Sequence, residues 1–111
     1  MRRAALALAV FLLALVPAPG AVAAERSCGS IGFQPNTDFG AFGIRARDVG
    51  CRTARRVARA SREHGPTGEP GTVRRYRARR FRCVGRERAT NLPSIRFRCT
   101  RGEALVTFTR T

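Results

Sequence analysis

Four cysteines, one histidine and a large excess of arginine are the side chains of this 111-residue chain whose types and spacing bear on chemistry. Cys28, Cys51, Cys83 and Cys99 follow one another at intervals of 23, 32 and 16 residues. Thiolate metal centres draw close ligand pairs such as Cys-x-x-Cys from tight turns. The chain has no such pair, and His64, in "EHGPTG", has no neighbouring ligand. No metal and no cofactor is therefore expected. An even set of cysteines in a short chain bound for an oxidising compartment reads instead as two disulfides.

Catalysis finds one grouping, Arg62, Glu63 and His64. Its types suit phosphodiester cleavage in the manner of small secreted nucleases, but it sits where a helix runs into a Gly/Pro loop and adjacent side chains diverge. With no second histidine and no Ser-His-Asp set to complete a mechanism, a hydrolase or nuclease is the weakest reading. No catalytic residue is assigned, and the chain is not expected to be an enzyme.

The tetrapeptide Arg-Phe-Arg-Cys occurs twice, at residues 80–83 and 96–99. In an extended strand the period of two sends Phe81, Cys83, Phe97 and Cys99 to one side and Arg80, Arg82, Arg96 and Arg98 to the other. These four arginines are the candidate anion-binding residues, because guanidinium forks suit phosphate and carboxylate. Every basic residue is arginine and none is lysine. GC-rich codons explain that choice as well as a need for bidentate contacts does, and a solvated, screened face is the alternative to a binding one. Tyr76, within "VRRYRARR", would add a stacking surface for a nucleic acid.

The elements that must position these residues begin after a leader. Residues 1–24 open with Arg2 and Arg3, continue as an apolar run from Ala4 to Val16, break at Pro17, Pro19 and Gly20, and end in small residues. That is the grammar of a removed signal peptide, and the run is too short to span a bilayer, which takes roughly 20 residues. A soluble, secreted, extracellular protein follows, with residues 25–111 as one small domain. That segment keeps 20 arginines against seven acids, a formal charge of +13. It is sparse in apolar residues, and a core this small supplies only a few kcal/mol, so disulfides are needed to hold it.

Along the domain, Ile31 and Phe33 mark a short strand and "QPN" a turn. Phe42 to Arg47 reads as a second strand with Phe42, Ile44 and Ala46 on one side. The segment "DVGCRTARRVARASREHG" is the helix, with Asp48 as N-cap and Gly65-Pro66 as its stop. At 100° per residue Cys51, Ala54, Val57, Ala58 and Ser61 share the buried side, and Arg52, Arg55, Arg56 and Arg59 gather opposite. Residues 64–72 read as an exposed loop, Val73 to Val84 as one extended run, and "GRERATNLPS" as a polar connector. "SIRFRCTRGEALVTFT" reads as a hairpin whose four-residue turn, Thr100 to Glu103, sets Cys99 opposite Ala104 and Phe97 opposite Val106. The order strand, strand, helix, strand, strand, strand implies an α+β domain, one helix packed on a small antiparallel sheet. Cys51 then faces the sheet, and a bridge from Cys51 to Cys83 or Cys99, with Cys28 taking the remaining partner, is favoured over Cys83 with Cys99. Connectivity itself does not follow from sequence.

With Val49, Cys51 and Ala54 on the helix, Phe81 and Cys83 on a strand, and Cys99, Gly102, Val106 and Phe108 in the hairpin, residues 44–109 resemble a group of small exported actinobacterial proteins. Their shared outline is V-x-C-x-x-A, F-x-C and C-x-x-G-x-x-x-V-x-F. The resemblance implies export and a disulfide-stapled fold, and transfers no catalytic or binding residue.

These readings point to a monomeric, non-enzymatic secreted protein whose arginines adsorb an anionic polymer or membrane surface with strong salt dependence. An inhibitor or effector recognising one protein, through a loop such as "GPTGEPGT", is the alternative from another class, although no cysteine adjoins that loop to fix it.

Overall fold

The computed structural model describes residues 24–89 and 91–111; the leader expected over residues 1–24 lies, apart from Ala24, outside them. Six strands and one helix follow in the order β1 (Arg26–Gly32), β2 (Gly40–Arg47), α1 (Cys51–Arg59), β3 (Val73–Ala78), β4 (Phe81–Arg88), β5 (Ser94–Arg101) and β6 (Ala104–Arg110). A 3-10 helix, Ala60–His64, continues α1. The strands form a single antiparallel sheet in the spatial order β1-β2-β6-β5-β4-β3. The fold is thus one helix on a sheet with two disulfides, as expected, but the sheet dominates it.

The connection from β2 to β3 crosses from one side of the sheet to its far edge, and α1 occupies that crossing. The helix packs against β1, β2 and β6, and the 3-10 helix against β3. Close approach rests on small side chains, since Ala54, Val57 and Ala58 of α1 and Ala41 and Ala46 of β2 are all fully or almost fully buried. Larger groups fill the half of the inner face that α1 leaves open. Tyr76 meets Phe97 edge to face at a centroid distance of 5.3 Å, Phe97 stacks on Phe108 at 5.3 Å, and the His64 ring lies parallel on Tyr76 at 4.8 Å.

The helix begins later than its sequence implies. Asp48 lies in the left-handed region at φ 54°, and Gly50 is the N-cap with no side-chain cap bond. This delay places Cys51 at the first helical position, Cα 5.2 Å from Cys28 of β1, with which it forms a disulfide. The second disulfide joins Cys83 and Cys99, directly opposed on β4 and β5 with Cα atoms 4.0 Å apart. The favoured pairing of Cys51 with Cys83 or Cys99 is therefore overturned. The reason is lateral distance: Cys51 stands over β1, and β5 and β4 lie three and four strands away, about 14 and 19 Å at ~4.8 Å per strand. A disulfide needs Cα atoms within about 7 Å.

Three strand readings change as well. The run from Val73 to Val84 is two strands joined by the two-residue turn Arg79-Arg80, with φ 52° and 64°. Such turns are signalled by Asn-Gly or Gly-Gly, so two arginines gave no warning. In the β5–β6 hairpin the turn is Gly102-Glu103, with Gly102 at φ 55°, and Cys99 pairs Val106 and Phe97 pairs Phe108. The expected register was off by two, which leaves every side chain on its expected face. In β2, a bulge around Gly43 (φ 60°) turns Phe42 to the outer side, opposite Thr109, while Ile44 and Ala46 stay inward.

Gly85 and Glu87, read as part of a connector, belong to β4. A Cβ on Gly85 would meet Ile95 Cγ2 at 2.4 Å and Phe97 Cδ1 at 2.9 Å. This glycine therefore answers to inter-strand packing rather than to a turn.

Candidate functional site

The sheet has one covered and one open face. With α1 and the 3-10 helix on the inner side, strand alternation sends the other set of side chains outward, and pairing aligns them in transverse rows across β3, β4, β5, β6 and β2. One row reads Arg77, Arg82, Thr100, Leu105, Arg47, and the next Arg75, Val84, Arg98, Thr107, Arg45. The third reads Val73, Arg86, Arg96, Thr109, Phe42, and Arg88 stands opposite Ser94 beyond it. Nine arginines and no acid occupy these outward positions.

Two of the cross-strand pairs, Arg77 with Arg82 and Arg86 with Arg96, set like charges directly opposite one another, an arrangement that destabilises a sheet. Among the described residues the ion pair found is Arg45 Nε with Glu25 Oε2 at 3.1 Å, at the rim of the face. Arg96 donates to Thr109 Oγ1 at 3.3 Å. Arg75, Arg77, Arg82 and Val84 line a shallow depression on the β3–β4 side.

Three of the four arginines singled out by the doubled tetrapeptide, Arg82, Arg96 and Arg98, share this face. Arg80 does not; it sits at the β3–β4 turn with positive φ. The two copies run antiparallel and meet at the Cys83–Cys99 bridge, so they are related through the disulfide and not through Phe81 and Phe97. Arg45, Arg47, Arg75, Arg77, Arg86 and Arg88 complete the face. The alternation of Arg45 and Arg47 in "GIRAR", of Arg75 and Arg77 in "VRRYRARR" and of Arg86 and Arg88 in "GRERAT" was visible in the sequence, but the turn at Arg79-Arg80 that folds β3 onto β4 was not.

Tyr76 offers no stacking surface. It points inward, is buried, and donates its hydroxyl to Val57 O at 2.7 Å, and burial raises its pKa. His64 is half-buried against it, and no hydrogen bond joins the side chains of His64 and Glu63. All four cysteines are oxidised, and no group of three His, Cys, Asp or Glu residues among the described ones could hold a metal ion. An apolar concavity at one end of the sheet is lined by Phe39, Pro66, Leu92 and Pro93, with Asp38 and Thr111 among its polar lining residues.

Two buried ionic groups escaped the sequence. Arg110, at the end of β6, is fully buried. Its Nε donates to Ser61 O at 3.2 Å and its Nη2 to Arg62 O at 3.3 Å, and Nη1 donates to Thr111 O. The guanidinium carbon lies 4.7 Å from the Phe33 ring centroid and 4.3 Å from that of Phe39. It thereby caps the carbonyls that end the 3-10 helix. Burial, and then the charge of Arg62, hold its pKa below the usual arginine range.

Glu87, 3% exposed, points inward from β4 and accepts from Thr67 Oγ1 at 2.7 Å and from Gly68 N–H at 2.6 Å. Burial alone would raise its pKa, but the hydrogen bonds from Thr67, Gly68 and Glu69 outweigh it and lower the pKa. The loop between the 3-10 helix and β3 is thus anchored from within. No helix among the described residues is long and apolar enough to cross a membrane. No protein family, curated protein or solved structure matches the chain.

Proposed function

We propose that the chain is a small secreted, non-enzymatic, monomeric protein of the exported actinobacterial group it resembles, and that it adsorbs an anionic extracellular partner through the open face of its sheet. The observation that carries this reading is the concentration of nine outward arginines, without one acid among them, on a face that no helix covers. Charge of one sign fixed on a rigid sheet raises the local potential and the on-rate for a polyanion, with little sequence or structural selectivity. The two disulfides support an extracellular setting, where such bonds persist.

A salt titration tests this. Binding to a polyanion should weaken steeply between about 50 and 200 mM salt. Tight binding that survives high salt would reject adsorption and point to a protein interface with a buried hot spot.

A second reading, inhibition of one protein, draws support from the Glu87 anchor, which supplies to the Gly65–Thr72 loop the fixing that no disulfide provides. Inhibition of a secreted protease that Glu87→Ala abolishes would favour it, and a panel of secreted proteases left untouched would end it.

A further inference from the structure

The outer surface of α1 is a second basic face, set on the opposite side of the molecule from the first. With Ala54, Val57 and Ala58 packed on the sheet, the 100° step of the helix turns Arg52, Arg56 and Arg59 to the far side, and all three are exposed. No acid occurs in α1. Arg55, at the margin, is held by hydrogen bonds from Nη1 to Cys28 O at 2.9 Å and Ser30 O at 3.3 Å, and it lines a groove with Arg52, Arg56 and Arg59. A neighbouring concavity extends this groove from Arg56 and Arg59 to Arg79, at the turn whose two arginines both adopt the left-handed conformation. Each costs about 1–2 kcal/mol there relative to glycine. The turn therefore keeps a charged residue beside the groove at the expense of backbone strain.

Resting on the adsorption reading above, we infer that the two faces hold two separate segments of double-stranded nucleic acid, so that one molecule bridges them. Two features select this occupant. The open sheet face presents no exposed aromatic ring, because Tyr76 is buried and Phe42 only half-exposed. Single strands gain much of their affinity from base stacking, whereas a duplex read through its phosphates needs none and carries one charge per ~1.7 Å of its axis. A duplex is also stiff, with a persistence length of ~50 nm. It cannot wrap a domain this small to occupy both faces, and a planar membrane can touch only one face at a time.

The test is sequential capture with the purified exported protein. An immobilised short duplex binds the protein, and a second, labelled duplex of unrelated sequence is then added. Wild type should capture the second duplex, and the stoichiometry in solution should reach two short duplexes per chain. The triple variant Arg52→Gln/Arg56→Gln/Arg59→Gln should still bind the first duplex but lose second capture by tenfold or more. Arg82→Gln/Arg96→Gln/Arg98→Gln, an equal change of charge, should weaken the sheet face for duplex by about 150-fold at 0.15 M salt if each arginine meets one phosphate, so that second capture is lost here too while the helix face still holds the first duplex.

First capture without second capture by wild type, or a stoichiometry of one duplex per chain, overturns bridging and leaves adsorption standing. Bridging unchanged in the helix variant overturns it equally, by showing that charge neutralisation alone suffices. Clustering of anionic vesicles with no capture of duplex assigns the faces to membranes and rejects the inference. Failure to bind the duplex or any other polyanion removes both readings.

Discussion

Replacing Arg82 and Arg96 by glutamine should weaken binding while leaving the fold as stable or slightly more so. Each substitution separates a directly opposed like-charge pair, Arg77 with Arg82 and Arg86 with Arg96. On an exposed, screened face each relief amounts to about 0.3 kcal/mol, together roughly 3 °C in Tm for a domain of this size. The hydrogen bond from Arg96 to Thr109 is partly exposed and offsets some of that gain. Binding moves the other way. Two fewer phosphate contacts lower the slope of log K against log salt by about 1.8, which from 1 M down to 0.15 M corresponds to roughly a 30-fold loss of affinity.

Thermal melting together with fluorescence anisotropy on a short duplex at four salt concentrations reads both quantities. A variant that melts several degrees lower would show that these arginines stabilise the sheet and are not a burden on it. An unchanged salt slope would show that they do not meet the polyanion, and the face assignment would be wrong.

The remaining predictions concern the scaffold. Non-reduced peptide mapping should recover Cys28 with Cys51 and Cys83 with Cys99, and removing either bridge by paired Cys→Ser substitution should cost about 3 kcal/mol in chemical denaturation, from loops closing 23 and 16 residues. Gly85→Ala should destabilise by about 1–3 kcal/mol through overpacking, since its Cβ would fall 2.4 Å from Ile95 Cγ2; an equally stable variant would refute the packing account. Glu87 has its folded pKa lowered, so the stability it contributes is complete above its unfolded pKa, near ~4.3. That contribution should disappear as pH falls from there through the folded pKa. Glu87→Gln should flatten this acid limb of the melting profile and speed hydrogen exchange at Gly68, and an identical acid limb in the variant would place the titration elsewhere.

Local pattern determined a good part of this molecule. Apolar spacing on α1 fixes which side is buried, because the 3.6-residue period leaves only one small-residue stripe, and Gly65-Pro66 ends the helical segment because it cannot be continued there. The alternation in both Arg-Phe-Arg-Cys copies separates inward from outward groups for Phe81, Cys83, Phe97 and Cys99, and even a register error of two residues in the last hairpin preserves that separation. Arginine content and the even set of cysteines also lie open in the sequence.

Position across the sheet was decided by tertiary structure alone. Which cysteines meet depends on strand order, and β6, the last strand, inserts between β2 and β5, keeping the helix and Cys51 away from Cys83 and Cys99. The turn at Arg79-Arg80 has no glycine or asparagine to announce it; pairing of β3 with β4 on both sides holds two arginines in a conformation their own preferences oppose. That turn and the strand order bring arginines from four strands onto one open face, while the crossing helix carries its own to the other side. A one-dimensional count gives the charge of this protein, but only the lateral order of its strands gives that charge two faces.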